Sequence, residues 1–473
     1  MKHLFIFLPL LCLGITACSA DINKSKQSAE LVEKTNSKKP NIVLFFVDDL
    51  GFGDLGMRNP IFESPNVDAL AAQSLSLENT YVASPTCSPS RATLLTGQHP
   101  AKLKMVRHLP SGIPTESVHY WKTDPAQFPV PNWLDTKYKS YATAIKKQGY
   151  YNHFVGKWHL GHNKGFHPTD HGFDSQWGTT NEGHPKGYSG KFFKDSSMLT
   201  QPSEQTLTES KSDKYLTDLL AQHSVDWINS YDKDQPFMLS LWFYNVHRPS
   251  QGKPDYVKHF EEKGLTGDMA KYAAQIKSMD DAVGRVRAAL KAKGLDKDTI
   301  ILFTSDQGSY FPNLPFRGKK KGETLYEGGA RVPFFVHWPN VTHDGTINHS
   351  IIQTTDIFPT LVDIAGGNST LDKNLDGVSL LNVIRDNKVL ERNKPIYGYR
   401  AYEDLYISVR EGNWKLLGYR SGERRLYNLG IDPLEQKNVV EHYPEIVKSM
   451  TSKLQAWEKE MGVEKYTGFP KAP

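Results

Sequence analysis

The sequence predicts an α/β protein: a large mixed, mainly parallel sheet flanked by helices, followed by a smaller C-terminal α+β subdomain. Three observations carry this prediction. Four continuous apolar runs each end in polar, chemistry-bearing residues; helical patterns separate them; past residue 370 the pattern changes to short alternating segments. Continuous apolar runs mark strands buried on both faces. Strands that alternate with helices assemble into parallel sheets.

The first run, PNIVLFFVDDLGFGD, places a strand near residues 41–47, ending at Asp48 and Asp49. YYNHFVGKWHLG places one near 151–155, before Lys157 and His159. PFMLSLWFYNVHRP places one near 237–244, before His247. DTIILFTSDQG places one near 299–304, before Asp306 and Gln307. Helical spacing covers 66–75, 138–148, 213–230 and 271–293. Parallel sheets bind ligands beyond the carboxyl ends of their strands, where all four polar clusters fall. The chain therefore divides into a catalytic domain over 40–370 and a subdomain over 371–473. In the latter, LYISVREGNWKLLGYRSGERRLYNL predicts antiparallel strands turning at Gly412 and Gly422. EIVKSMTSKLQAWEKEM predicts a terminal amphipathic helix.

The 38% hydrophobic and 23% charged content over 473 residues suits a protein with a sizeable core. The net charge of +5 is compatible with an anionic substrate, and no nucleic-acid motif accompanies it. The opening MKHLFIFLPLLCLGITACSA has a basic start and an apolar run of about fourteen residues, too short to span a bilayer and suited to export. Small residues before Cys18 resemble a bacterial lipobox, which predicts a signal peptide over 1–17, lipidation of Cys18 and a polar tether over 18–39. The alternative is an ordinary signal peptide cut near Ala17 or Ala20. The lipobox implies an exported lipoprotein, periplasmic or at the surface of a Gram-negative bacterium, that meets the membrane only through its lipid. Cys12 leaves with the signal and Cys18 carries lipid, so Cys87 remains alone and no disulfide forms.

Paired acids and amides at strand ends offer hard oxygen ligands. Asp48, Asp49, Asp306 and Gln307 on one sheet edge therefore suit Ca²⁺, or secondarily Mg²⁺, rather than zinc. In PTCSPSRATLLTG, Pro89 fits the first turn of a helix that Gly97 ends. Cys87 then lies at the helix N-terminus, where the dipole favours negative charge, with Arg91 about one turn on. On these grounds alone the segment is an activated thiolate, an anion pocket or an inert buried cysteine.

The order C-x-P-S-R, followed by apolar pairs and T-G, closely resembles the signature of the type I sulfatases, of the alkaline phosphatase superfamily. GYYNHFVGKWHLG resembles their second signature, with Asn152 where Ser or Thr is usual. VDDLGFGD, LYEGGARVPFFVHWP, REGNWKLL and LYNLGIDPLEQKNV extend the likeness from about residue 40 to 440.

The resemblance implies that Cys87 is oxidised to Cα-formylglycine (3-oxoalanine) by a formylglycine-generating or anaerobic sulfatase-maturating enzyme. The hydrated aldehyde then attacks the sulfur of a sulfate ester and later expels sulfate, a nucleophile that releases itself. It implies a calcium ion on Asp48, Asp49, Asp306, Gln307 and residue 87. Arg91 would hold the diol, and Lys157 would grip sulfate. His159 would assist collapse of the intermediate and His247 would serve the leaving oxygen. A second sulfate-binding lysine is expected in FRGKKKGETLYEGG, at Lys321 in preference to Lys320. Gln307 in place of the usual asparagine and the lengthened lysine loop depart from the family pattern.

The implied activity is hydrolysis of sulfate esters on a sulfated polysaccharide or oligosaccharide. The alternatives are a phosphonate or phosphodiester hydrolase of the same superfamily, and an inactive surface glycan-binding protein. Long inserts over 101–135 and 162–210 make Trp121, Trp133, Trp158 and Trp177 candidate sugar-stacking faces. The histidines His108, His119, His162, His167, His171 and His184 are numerous for loops over a pocket, whereas His99 reads as a packing residue.

Overall fold

The computed structural model describes residue 1 and residues 39–110, 118–119, 128–161, 165–193 and 214–466. Cys18 and the expected signal and tether lie outside the described residues, as do Trp121 and His162. The chain divides into residues 1–39 and 40–473, and all that follows concerns the second unit. Among the described residues no helix is long and apolar enough to cross a membrane.

In chain order the strands are β1 (Asn41–Val47), β2 (Leu75–Tyr81), β3 (Val118–His119), β4 (Val130–Pro131), β5 (Tyr151–Gly156), β6 (Ser175–Trp177) and β7 (Phe237–Trp242). They continue with β8 (Thr299–Ser305), β9 (Phe334–His337), β10 (Ile347–Gln353), β11 (Ile396–Tyr399), β12 (Leu405–Glu411), β13 (Trp414–Tyr419) and β14 (Arg424–Asn428). The main sheet has the order β10-β2-β9-β8-β1-β7-β5-β6. Its pairs are parallel except where β9 runs against β2 and β8. The second sheet, β11-β12-β13-β14, is antiparallel throughout.

The apolar runs are continuous because the main sheet is covered on both sides. Ile42, Leu44 and Phe46 of β1 enter one core with Tyr141, Ile145 and Phe358. Val43, Phe45 and Val47 enter the other with Leu220, Met279 and Val283. The helices Leu216–Ser230 and Gly267–Ala292 supply the second layer, and Tyr141–Lys146 and Ile357–Ile364 the first. Because β1, β5, β7 and β8 are parallel neighbours, their carboxyl ends emerge at one edge. The four polar clusters are therefore brought together.

Two expectations need correction. The helix expected over 66–75 spans Pro65–Ala72, and Leu75 already begins β2. The alternation in LSLENTY carries the strand period, and the side-chain hydroxyl of Ser74 bonds back to Leu70 where the helix closes. The strand expected over 237–244 ends at Trp242.

The antiparallel sheet is tied to the segment after β8 by a buried ion cluster. Lys415 Nζ lies 2.9 Å from Glu327 Oε1 and 2.9 Å from Glu435 Oε1, and the Glu327 backbone N–H donates to Glu435 Oε2 (2.7 Å). Burial outweighs the Lys415 ammonium and pushes the Glu435 carboxyl from its ordinary 4.5 up to about 7. A pKa raised on folding contributes stability that is complete below about 4.5 and is lost as pH rises through about 7. Glu435→Gln is therefore expected to flatten the fall of the thermal midpoint across that window. An unchanged slope would show that the proton sits elsewhere.

Candidate active site

Cys87 is the first residue of the helix Cys87–Thr96, which Gly97 ends in a left-handed conformation (φ 65°). Every residue of this helix is buried, which pins Cys87, only 5% exposed, under the edge of the sheet. Around its sulfur stand groups from several strand ends. Gln307 Nε2 lies 3.2 Å away, Asp48 Oδ1 3.6 Å and Lys320 Nζ 3.7 Å. His159 lines the same cavity as Cys87.

Asp48 and Asp49 follow β1 directly, and Asp306 and Gln307 follow β8. The Asp49 backbone N–H donates to Asp306 Oδ1 (3.0 Å), linking the two strand ends. Asp49 and His159 both adopt the left-handed backbone region (φ 63° and 56°). Such strain in non-glycine residues costs about 1–3 kcal/mol each and collects at functional sites.

Cations interleave with these acids. Arg91 Nη1 donates to the Lys157 carbonyl (2.8 Å) and Nη2 to Asp306 Oδ2 (3.2 Å), with Asp48 at 3.6 Å. Lys157 Nζ is ion-paired with Asp48, and Lys320 Nζ with Asp49 at 2.7 Å. His247 Nε2 lies 3.6 Å from Asp49 Oδ2, and its Nδ1 faces the Arg248 carbonyl at 2.7 Å. His159 Nε2 faces the Leu109 carbonyl at 3.0 Å.

The electrostatics follow from this packing. Burial pushes the Cys87 thiol up, but the Lys157 and Lys320 charges outweigh it and lower its pKa to about 6. Burial, and then the Asp48 and Cys87 charges, push Asp306 well above the usual carboxylate range. Burial also raises Asp48, yet Lys157, His247 and Arg91 together carry it well below that range. Burial, reinforced by Lys320, lowers His247 to about 3. Burial lowers His159 to about 4 against the pull of Cys87.

A hard cation fits here. Carboxylate oxygens of Asp48, Asp49 and Asp306 lie within 4.8 Å of one another, all buried. Gln307 Oε1 is buried without a hydrogen-bond partner. Gln307 meets Asp49 through its Nε2 (2.7 Å), and turning its amide over would add that unsatisfied carbonyl oxygen to the three acids, an all-oxygen donor set of the kind Ca²⁺ and Mg²⁺ take.

The structure thus brings together Cys87, Arg91, Lys157, His159 and His247 with Asp48, Asp49, Asp306 and Gln307. It reverses the preference between the two lysines. Lys320 is 8% exposed and reaches the cluster, whereas Lys321 is exposed at the rim. A turn from Lys319 to Gly322 and a bond from the Lys320 N–H to the Ser309 carbonyl (2.7 Å) fix which side chain points inward.

The tryptophan expectations fail where they can be followed. Trp158 is buried and donates to the Phe166 carbonyl (2.7 Å). Trp177 stacks on His223, with ring centroids 4.4 Å apart, and Trp133 packs on Phe166 (5.4 Å). None lines the cavity above Cys87. His99 packs on Trp457, as expected, and His171 packs on Trp158. His108 and His184 do line that cavity. So do Arg107, Tyr310, Arg400 and Tyr402, which carried no motif in the sequence and are assigned by position alone.

Residues 40–367 match the Sulfatase family, and residues 320–460 match N-sulphoglucosamine sulphohydrolase, C-terminal. N-acetylgalactosamine-6-sulfatase of Rattus norvegicus is 31% identical, over 85% of this chain and 76% of its own length. The structure of Ps i-CgsB in complex with k-i-k-neocarrahexaose superposes with a TM-score of 0.78 at 26% identity, covering 92% of this chain and 95% of that one. PsFucS1 sulfatase from Pseudoalteromonas sp. has a TM-score of 0.69, over 97% of this chain and 96% of its own; at 23% identity it shows the fold alone.

Proposed function

The chain belongs to the sulfatase family, and from that premise we propose that it hydrolyses sulfate esters of a sulfated carbohydrate, using a formylglycine made from Cys87 and a calcium ion. The observation that carries the proposal is the convergence on one buried sulfur of an acidic, all-oxygen donor set and two lysines. Those are the parts needed to hold a cation, present a nucleophile and grip an anion. The carbohydrate class is supported by the relatives, one named for N-acetylgalactosamine and one bound to k-i-k-neocarrahexaose.

Oxidised to formylglycine, position 87 supplies a hydroxyl nucleophile that a thiol cannot replace, because the hydrate can release its product and a thiosulfate cannot. Asp48, Asp49, Asp306 and Gln307 would hold the cation, which draws charge from a sulfate oxygen. The chain's own residues do the rest. Arg91, fully buried between Lys157 and Asp306, fixes the geometry around position 87. Lys157 and Lys320 neutralise sulfate oxygens in a site shielded from water, where charge stabilisation is strongest. His159 stands beside position 87 to move a proton during release. His247 lines the cavity with its Nε2 3.6 Å from Asp49 and would serve the leaving alcohol oxygen as an acid once a bound sulfate raises its pKa from about 3.

The test is sulfate release from a panel of defined sulfated oligosaccharides. Release is expected on at least one, to be suppressed by excess chelator and restored by Ca²⁺. Release that survives complete metal removal would refute the cation's part, and a preference for phosphate diesters would refute the substrate class. The amino-terminal pattern supports export and anchoring through lipid on Cys18, as part of the same proposal.

A further inference from the structure

The cavity above Cys87 has a volume of about 560 Å³, in the range of sites that enclose a small-molecule group. At its floor, Asp48 and Asp49 already balance Lys157 and Lys320. The wall is different. The Arg107 and Arg400 guanidinium carbons lie 4.5 and 4.6 Å from the centre of the Tyr402 ring. The Tyr402 hydroxyl shares a 3.0 Å hydrogen bond with Thr86 Oγ1, one residue before Cys87. Arg400 is held by Glu403 (3.0 Å) and by the Pro85 carbonyl (2.6 Å), so it braces this segment.

At the rim, Lys321 Nζ stands 5.4 Å from the centre of the Tyr310 ring and makes no ion pair among the described residues. Glu403 is the only acid lining the cavity among those residues, against Arg107, Arg400, Lys320 and Lys321. The cationic field is felt locally: burial, then Arg107, Lys320 and Arg400, hold His108 down at about 3.

A single sulfate at the floor uses Lys157 and Lys320, which leaves Lys321 without a part in the reaction itself, on a cavity that Arg107 also lines. We propose that Lys321 and Arg107 bind a second anionic substituent, a sulfate or a carboxylate, on the same carbohydrate as the ester being cleaved. These residues then determine specificity, and the enzyme selects multiply charged sugars. Guanidinium suits either oxyanion through its planar fork, and stacking on Tyr402 presents it pre-organised. The proposal rests on the sulfatase reading above and narrows its substrate.

The experiment compares kcat/KM on three oligosaccharides. One bears only the scissile sulfate, the second adds a sulfate on the adjacent ring, and the third carries a uronate there. The wild-type protein is expected to prefer a doubly charged substrate by about tenfold or more, with the preference eroding as salt rises. The arm that gains more identifies the anion. Lys321→Gln and Arg107→Gln are each expected to cut that preference about threefold or more, chiefly through KM. Lys321 is exposed, so its variant keeps the fold even where Arg107→Gln does not. Equal rates on all three substrates, or variants that slow all three by one common factor, would overturn the proposal. Sulfate release from none of them would instead overturn the sulfatase reading and this inference with it.

Discussion

Cys87→Ala loses sulfate release by about 10⁴-fold or more in kcat, while its thermal midpoint stays within about 3 °C of the parent. The two halves of this expectation have separate causes. On the proposed mechanism activity is lost because no neighbour can replace the nucleophile: among the groups around the sulfur, Asp48 and Gln307 would hold the cation and Lys320 would neutralise sulfate. The fold persists because alanine suits a first-turn helical position. Intact mass gives the paired control. The converted parent is about 18 Da lighter than its cysteine form, by loss of SH₂ and gain of oxygen. Turnover above about 1% of the parent in the alanine variant would place the nucleophile elsewhere.

Lys320→Ala lowers kcat/KM by about 10²- to 10³-fold, the usual effect of removing one charge stabiliser from a closed site. Lys321→Ala, measured on a singly sulfated substrate, loses at most about tenfold. The contrast comes from geometry, since the two side chains are chemically identical. Lys320 Nζ reaches Asp49 at 2.7 Å and the Cys87 sulfur at 3.7 Å, while Lys321 stays in solvent at the cavity mouth. Removing the Lys320 ammonium also frees Asp49 from a competing positive charge, so affinity for a divalent cation is expected to rise in the Lys320 variant and to stay unchanged in the other. The reverse order of the two effects would mean that the turn at 319–322 rearranges when substrate binds.

Much of the site was legible because its residues sit at fixed offsets from recognisable strands. Asp48 and Asp49 follow an apolar run immediately, as do Asp306 and Gln307, and a parallel sheet leaves such offsets little freedom. The wall was not legible. Arg107 comes from a loop after the Cys87 helix, and Arg400 and Tyr402 come from the turn between β11 and β12. They meet only because the antiparallel sheet packs beside the nucleophile segment, bonded through Tyr402–Thr86 and Arg400–Pro85. The tryptophans misled for a related reason. An aromatic ring in a loop serves a sugar or a core equally well, and Trp158 and Trp177 found partners in the protein.

The sequence by itself determined the parallel α/β class, the acids and histidine at the strand ends, and the cysteine that starts a proline-marked helix. Each is written into local order: apolar runs set strands, the run's end sets the sheet edge, and the C-x-P-S-R segment sets the helix start. Tertiary structure alone decided which of two adjacent lysines reaches the sulfur, and that two arginines and a tyrosine form the cavity wall. Neighbouring residues in a turn share composition and spacing but not direction. Their roles separate only when a backbone bond, here from Lys320 to Ser309, fixes one side chain toward the buried acids and leaves the next facing water.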